Sequence, residues 1–218
     1  MRTLHIEGLV RALVAGILLA FACSSSGQGL LDDLVVAVAN DRADEVKRLL
    51  GRGMDPDSVD ANGDTLLCIG TRNGSSRAVA ALLAAKANPN RPNRFGDTPL
   101  LLASLKGDFD SVRALIAARA TINPPGWTPL IYAATGGHDD IVTYLLQHGA
   151  DINAASPNGT TALMMAIREH HLDTARLLLS RGADVNQRNQ DGATALEWAK
   201  RGEEVDLVKE LRRAGARD

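Results

Sequence analysis

The chain has 218 residues, 45% of them hydrophobic, so it can bury a substantial core, yet aromatics make up only 3%. A core this poor in rings has to be built from Ala, Leu and Val, which suits closely packed helices and argues against an aromatic-rich β-sandwich. Its 24 basic and 26 acidic residues give a formal charge of −2 and are mixed along the chain, which excludes the electrostatic footprint of a nucleic-acid binder.

Residues 1–22 read as a secretion signal. Arg2 and Arg11 supply a basic flank, and Ala12 to Ala22 is an uncharged run, too short to span a bilayer but the length of a signal h-region. The run ends in Ala20-Phe21-Ala22, a small-x-small cleavage pattern, and residues 23–29 form a Ser/Gly-rich linker. Cys23 opens a second route, because Leu19-Ala20-Phe21-Ala22-Cys23 also resembles a loose bacterial lipobox in which Cys23 becomes the acylated first residue. The expected location is therefore the periplasm, the protein being either soluble or anchored to the outer membrane by lipid at Cys23. The other cysteine, Cys68, sits in a helical pattern and reads as a small buried hydrophobe, so the two make no disulfide framework.

From about residue 30 the sequence repeats itself. Gly63-Asp64-Thr65, Gly96-Asp97-Thr98, Gly126-Trp127-Thr128, Gly159-Thr160-Thr161 and Gly192-Ala193-Thr194 recur at spacings of about 33, 30, 33 and 33 residues. Each leads into a helix, as in Thr98-Pro99-Leu100 and Thr161-Ala162-Leu163, where Thr can cap and Pro fits the first turn. A second helix ends in Leu49-Leu50, Leu82-Leu83, Leu115-Ile116, Leu145-Leu146 or Leu178-Leu179. Gly149-Ala150-Asp151-Ile152-Asn153 and its variants follow, with glycine where a left-handed residue ends the helix and Asp/Asn where the chain turns. Ala103, Ala133, Ala134 and Ala199 keep the first helix of each pair thin enough for close stacking. One such unit cannot bury its own apolar face, so stability must come from neighbours.

These motifs resemble ankyrin repeats over residues 30–218. The resemblance implies an all-α solenoid with β-hairpin fingers, built of about six helix-turn-helix repeats near 30–59, 60–92, 93–122, 123–155, 156–188 and 189–218. Residues 34–57 lack the Thr-Pro motif, and Arg212 replaces the second Leu of the last unit, as polar caps on a solenoid would. The histidine of the family motif is replaced by Cys68, Leu101, Ile131, Met164 and Glu197, which implies a more apolar seam between repeats. The third finger is clipped: Asn123 to Gly126 is three residues shorter than Asn153 to Gly159, and Pro124-Pro125 stiffens it.

What the resemblance implies for function is protein binding, on a concave surface made of the fingers and the exposed ends of the inner helices. The partner-binding candidates there are Arg72, Asn73, Arg94, Phe95, Asp97, Leu105, Lys106, Trp127, Arg168 and Glu169. Phe95 and Trp127 fall on adjacent fingers of a chain with few aromatics, either as interface anchors or as covers for their own hairpins. Tyr132 and Trp198 share an inner-helix position with Leu102 and Met165 and read as packing residues. No catalytic triad, phosphate-binding Gly loop or Cys-x-x-Cys is present, so neither an enzyme nor a cofactor is expected. His138, His148, His170 and His171 cluster in neighbouring repeats, but at unlike repeat positions and without companion ligands at metal spacing. The expected protein is a monomeric interaction scaffold of the bacterial envelope, with a protein partner and no nucleic-acid or small-molecule substrate. Immunity protein against a periplasmic toxin or enzyme, and exported effector acting on a host protein, are the alternatives.

Overall fold

A computed structural model describes residues 29–217; the expected signal segment 1–22 and Cys23 lie outside the described residues. Among the described residues twelve helices follow one another in antiparallel pairs. The inner helices are α1 (29–39), α3 (Leu66–Asn73), α5 (Pro99–Lys106), α7 (Pro129–Gly136), α9 (Ala162–Arg168) and α11 (Ala195–Arg201). The outer ones are α2 (Ala43–Gly51), α4 (Ser76–Ala84), α6 (Phe109–Ala117), α8 (Asp139–Gln147), α10 (Leu172–Ser180) and α12 (Val205–Arg213). From α3 to α11 each inner helix packs on the next inner one, and from α2 to α12 each outer helix packs on the next outer one.

The capping chemistry decides where inner helices start. Thr65, Thr128, Thr161 and Thr194 each accept the backbone N–H three residues on, at 3.2–3.3 Å. Glu197 completes a capping box by accepting the Thr194 N–H at 2.8 Å. Thr98 departs from the pattern: its side chain caps nothing, and its buried hydroxyl oxygen has no partner. Pro99 in the first turn supplies part of what that cap would, by fixing φ at a helical value.

Packing follows the periodicity. One inner-helix position holds Ala37, Gly70, Ala103, Ala133, Ala166 and Ala199, all buried, which lets neighbouring repeats approach. The hydrophobic pairs of the outer helices divide their work: Leu49, Leu82, Leu115, Leu145, Leu178 and Leu211 are 0% exposed, whereas Leu50, Leu83, Ile116, Leu146 and Leu179 are only partly buried. The α7 helix, sandwiched between α5 and α9, buries Leu130, Ile131, Ala133 and Ala134 and is apolar nearly all round. At the end of the stack α12 buries only Leu207 and Leu211, and Arg212 is exposed, as a cap requires.

The fingers are tight turns more than strands; two isolated antiparallel bridges, Val59 to Thr65 and Ala155 to Thr161, are the only ladder among the described residues. Asp60, Asn93 and Asn189 each turn a side-chain oxygen onto the backbone N–H groups two and four residues on, and Ser156 does so to Thr160. The clipped third finger has no such residue. A second series ties finger to finger. The carboxamide or carboxylate of Asp57, Asn90, Asn123, Asn153 and Asn186 accepts a backbone N–H of the following repeat, from Asn88, Thr121, Asp151, Asp184 and Arg217, at 2.7–2.9 Å. Asn90, Asn123 and Asn186 also donate to a carbonyl there. The Asp/Asn of the turn motif is thus an inter-repeat ladder as well as a turn former.

Candidate protein-interaction face

Of the residues expected from sequence, Phe95, Asp97 and Trp127 line one cleft between the fingers and Arg168 lines another, whereas Arg72, Asn73, Arg94, Leu105, Lys106 and Glu169 line neither. Phe95 is 69% exposed, and the Arg94 guanidinium lies over its ring at 4.6 Å. Trp127 is 36% exposed and leans edge-on against Tyr132 of α7, with ring centroids 5.9 Å apart. The two finger aromatics therefore do different things: Phe95 stands in solvent, while Trp127 half-covers an inner helix. Both border one cleft of about 210 Å³, floored by Leu101 and walled by Pro124, Pro125 and Pro157. Pro124 and Pro125 of the clipped finger line this notch between Phe95 of the preceding finger and Pro157 of the following one.

Around the notch, Asp97 receives the amide of Asn93 and faces the Tyr132 hydroxyl, whose pKa is raised first by burial and then by that carboxylate. Leu105 (41% exposed) and Lys106 end α5 in the open. Arg72 is tied down: it donates to the buried Asp64 at 2.8 Å, and this bond holds the Asp64 carboxyl below its ordinary range. Asn73 is exposed next to it.

A second cleft, of about 330 Å³, opens between α9 and α11 and is bordered by Ile167, Arg168, His170, Trp198 and Arg201, with Asp191 reaching in from the fifth finger. Arg168 stacks over Trp198 at 5.9 Å and also pairs with Glu169 at 2.8 Å. Trp198, expected as a packing residue, is half-buried and presents one side to this cleft. Arg201 is likewise outside the set expected to bind. The signal for Arg201 was its place in the last turn of α11, equivalent to Leu105 of α5, while Trp198 is equivalent to Leu102 one turn earlier.

Cys68 is 0% exposed, and burial pushes its thiol up to about 11, which makes it a poor nucleophile. Its sulfur lies 3.7 and 3.9 Å from the Asp97 and Arg91 carbonyls, standing where the family motif has histidine. The histidines have separate partners: His138 with the Leu105 carbonyl, His148 with that of Tyr144, and His170 with Glu204. Among the described residues no three His, Cys, Asp or Glu side chains gather as a metal site would need.

A stack of helix pairs with a continuous finger face defines a class, the helical repeat proteins whose surface is their working part. The family model for ankyrin repeats matches residues 34–125, 69–156, 118–189 and 154–217 in overlapping registers. The chain belongs to the ankyrin-repeat family. It is similar to the human ASB11 ankyrin repeat domain, known from a crystal structure, at 27% identity and a TM-score of 0.78, with 84% of each chain covered. No protein of curated function matches the sequence. Ankyrin repeats are in general non-catalytic scaffolds for protein–protein interaction.

Proposed function

We propose that this protein is a non-catalytic interaction scaffold of the bacterial cell envelope that seats a partner protein on its finger and inner-helix face. The observation that carries the reading is the notch between Phe95 and Trp127. In a chain with three Phe, two Trp and two Tyr, an exposed ring and a half-exposed ring border one proline-walled cleft. Aromatic anchors beside a pocket, with arginine nearby, are the composition of interface hot spots. The envelope assignment rests on the sequence of residues 1–23 alone. Membrane contact would come only through lipid on Cys23, and the protein is proposed to act as a monomer.

The test is affinity capture from native envelope extract with the full chain and with a Phe95→Ala, Trp127→Ala variant. A partner held by the former and lost by the latter supports the reading; an unchanged set of captured proteins contradicts it. A captured toxin or enzyme that loses activity when bound would make the protein an immunity factor or inhibitor.

A further inference from the structure

Resting on that reading, we infer that the partner offers an extended acidic segment whose apolar side chains enter the two aromatic clefts. The chain as a whole is mildly acidic, at −2; Asp60, Asp64, Asp97 and Asp191 sit on the fingers, and Asp44, Asp110, Asp140, Asp173 and Asp206 stand at the starts of the outer helices. On that side several charges are already answered: Lys47 pairs with Asp44, Arg176 with Asp173 and Glu210, and Lys209 with Asp206.

The finger face differs. Among the described residues no carboxylate lies within ion-pair distance of Arg94, Lys106 or Arg201. Arg94 lies over the ring of Phe95, a stacking that orients the guanidinium while its edge donors remain available to a carboxylate. Arg168 lies over Trp198 but is already answered by Glu169, so among the described residues Arg201 is the unpaired cation of that cleft. The same apolar-plus-cation arrangement thus occurs twice, at the Phe95–Trp127 notch and at the Trp198 cleft.

A polypeptide fits this pattern better than a nucleic acid. Asp97 borders the first cleft and Asp191 the second. A polyphosphate backbone, charged at every step, would meet both. A peptide can place its carboxylates beside the arginines and its apolar side chains beside the aspartates.

The chain's two tryptophans, Trp127 and Trp198, line one cleft each, so intrinsic fluorescence reports occupancy directly. Random linear peptides displayed as a library are selected on the full chain, and the winners are synthesised without tryptophan and titrated by that emission. The expected winners are rich in Asp and Glu around aromatic or aliphatic residues. Their affinity should fall at least about tenfold in an Arg94→Ala, Lys106→Ala, Arg201→Ala variant and weaken as salt is raised. Neutral or basic winners, winners indifferent to that variant, or displacement by single-stranded DNA would overturn the inference. The underlying reading fails separately: it falls if winners bind a Phe95→Ala, Trp127→Ala variant unchanged. If neutral winners are lost on that variant, the face stands and only the acidic chemistry is wrong. Phe95 is exposed enough that Phe95→Ala alone, which cannot disturb a core, provides the check on folding.

Discussion

The six repeats treat the residue just beyond the outer helix differently, and stability should record it. Gly53, Gly149, Gly182 and Gly215 occupy that position with φ between 86° and 93°, whereas Lys86 and Arg119 hold it at 69° and 66°. A left-handed conformation costs an ordinary L residue about 1–2 kcal/mol. Glycine removes that strain but adds about 0.4–1 kcal/mol of unfolded-chain entropy. Lys86→Gly and Arg119→Gly should therefore each stabilise by about 0.5–1 kcal/mol. Both side chains are exposed, so no packing is lost. The sites lie in different repeats, so the double variant should gain about 1–2 kcal/mol. The reverse change is a control: at Gly149 and Gly182 an added Cβ meets nothing within 4 Å, so any loss from Gly149→Ala or Gly182→Ala comes from φ alone. Urea unfolding followed by far-UV circular dichroism measures this as a higher midpoint at unchanged slope. An unmoved or lowered midpoint in the double variant, with the Ala controls neutral, would refute the reasoning.

Other outcomes follow from the same structure. Asn123→Ala removes bonds to the Asp151 N–H and the Gly149 carbonyl, both 2.9 Å, and should cost about 1–2 kcal/mol in urea unfolding. Asn73→Ala, on an exposed side chain of α3, should stay within about 0.5 kcal/mol of the parent in the same assay. Gly70→Ala should destabilise by about 1 kcal/mol although the five other inner helices carry Ala there, because its Cβ would come 2.9 Å from the stiff Val79 side chain and 3.4 Å from Val38. The overpacking then outweighs the helix propensity gained, which a thermal melt would reveal. Burial raises the folded Cys68 thiol from 9.0 to about 11, so the unfolded chain ionises first and stability present below pH 9 is lost as pH rises toward 11. Cys68→Ala should flatten that decline in urea midpoints taken across the window, and an unaltered slope would show that Cys68 does not contribute.

Much of this was legible in the sequence because a repeat states its rules several times. The Thr caps, the thin Ala position and the leucine pairs each recur in register, and each recurrence has one local cause that a neighbour cannot override. Thr98 shows where that ends: its residue type fits the cap, yet the hydroxyl caps nothing. The asparagine ladder was hidden for another reason. Asn90 and Asn123 look like turn formers, and nothing in their spacing says that the amide also reaches the next repeat. The binding face was legible at Phe95 and Trp127, whose rarity and finger position mark them out. It was not legible at Trp198, because the same inner-helix position holds packing residues in Leu102 and Met165, whereas Trp198 lines the cleft between α9 and α11.

The central claim is that a protein partner sits on the finger and inner-helix face. Photo-crosslinking in intact cells tests it most directly, with a photoreactive side chain placed at exposed Leu105 in one strain and at exposed Arg113 of outer helix α6 in another. The account predicts a discrete higher-mass adduct from position 105 and none from position 113. An adduct from 113 with none from 105 would contradict it.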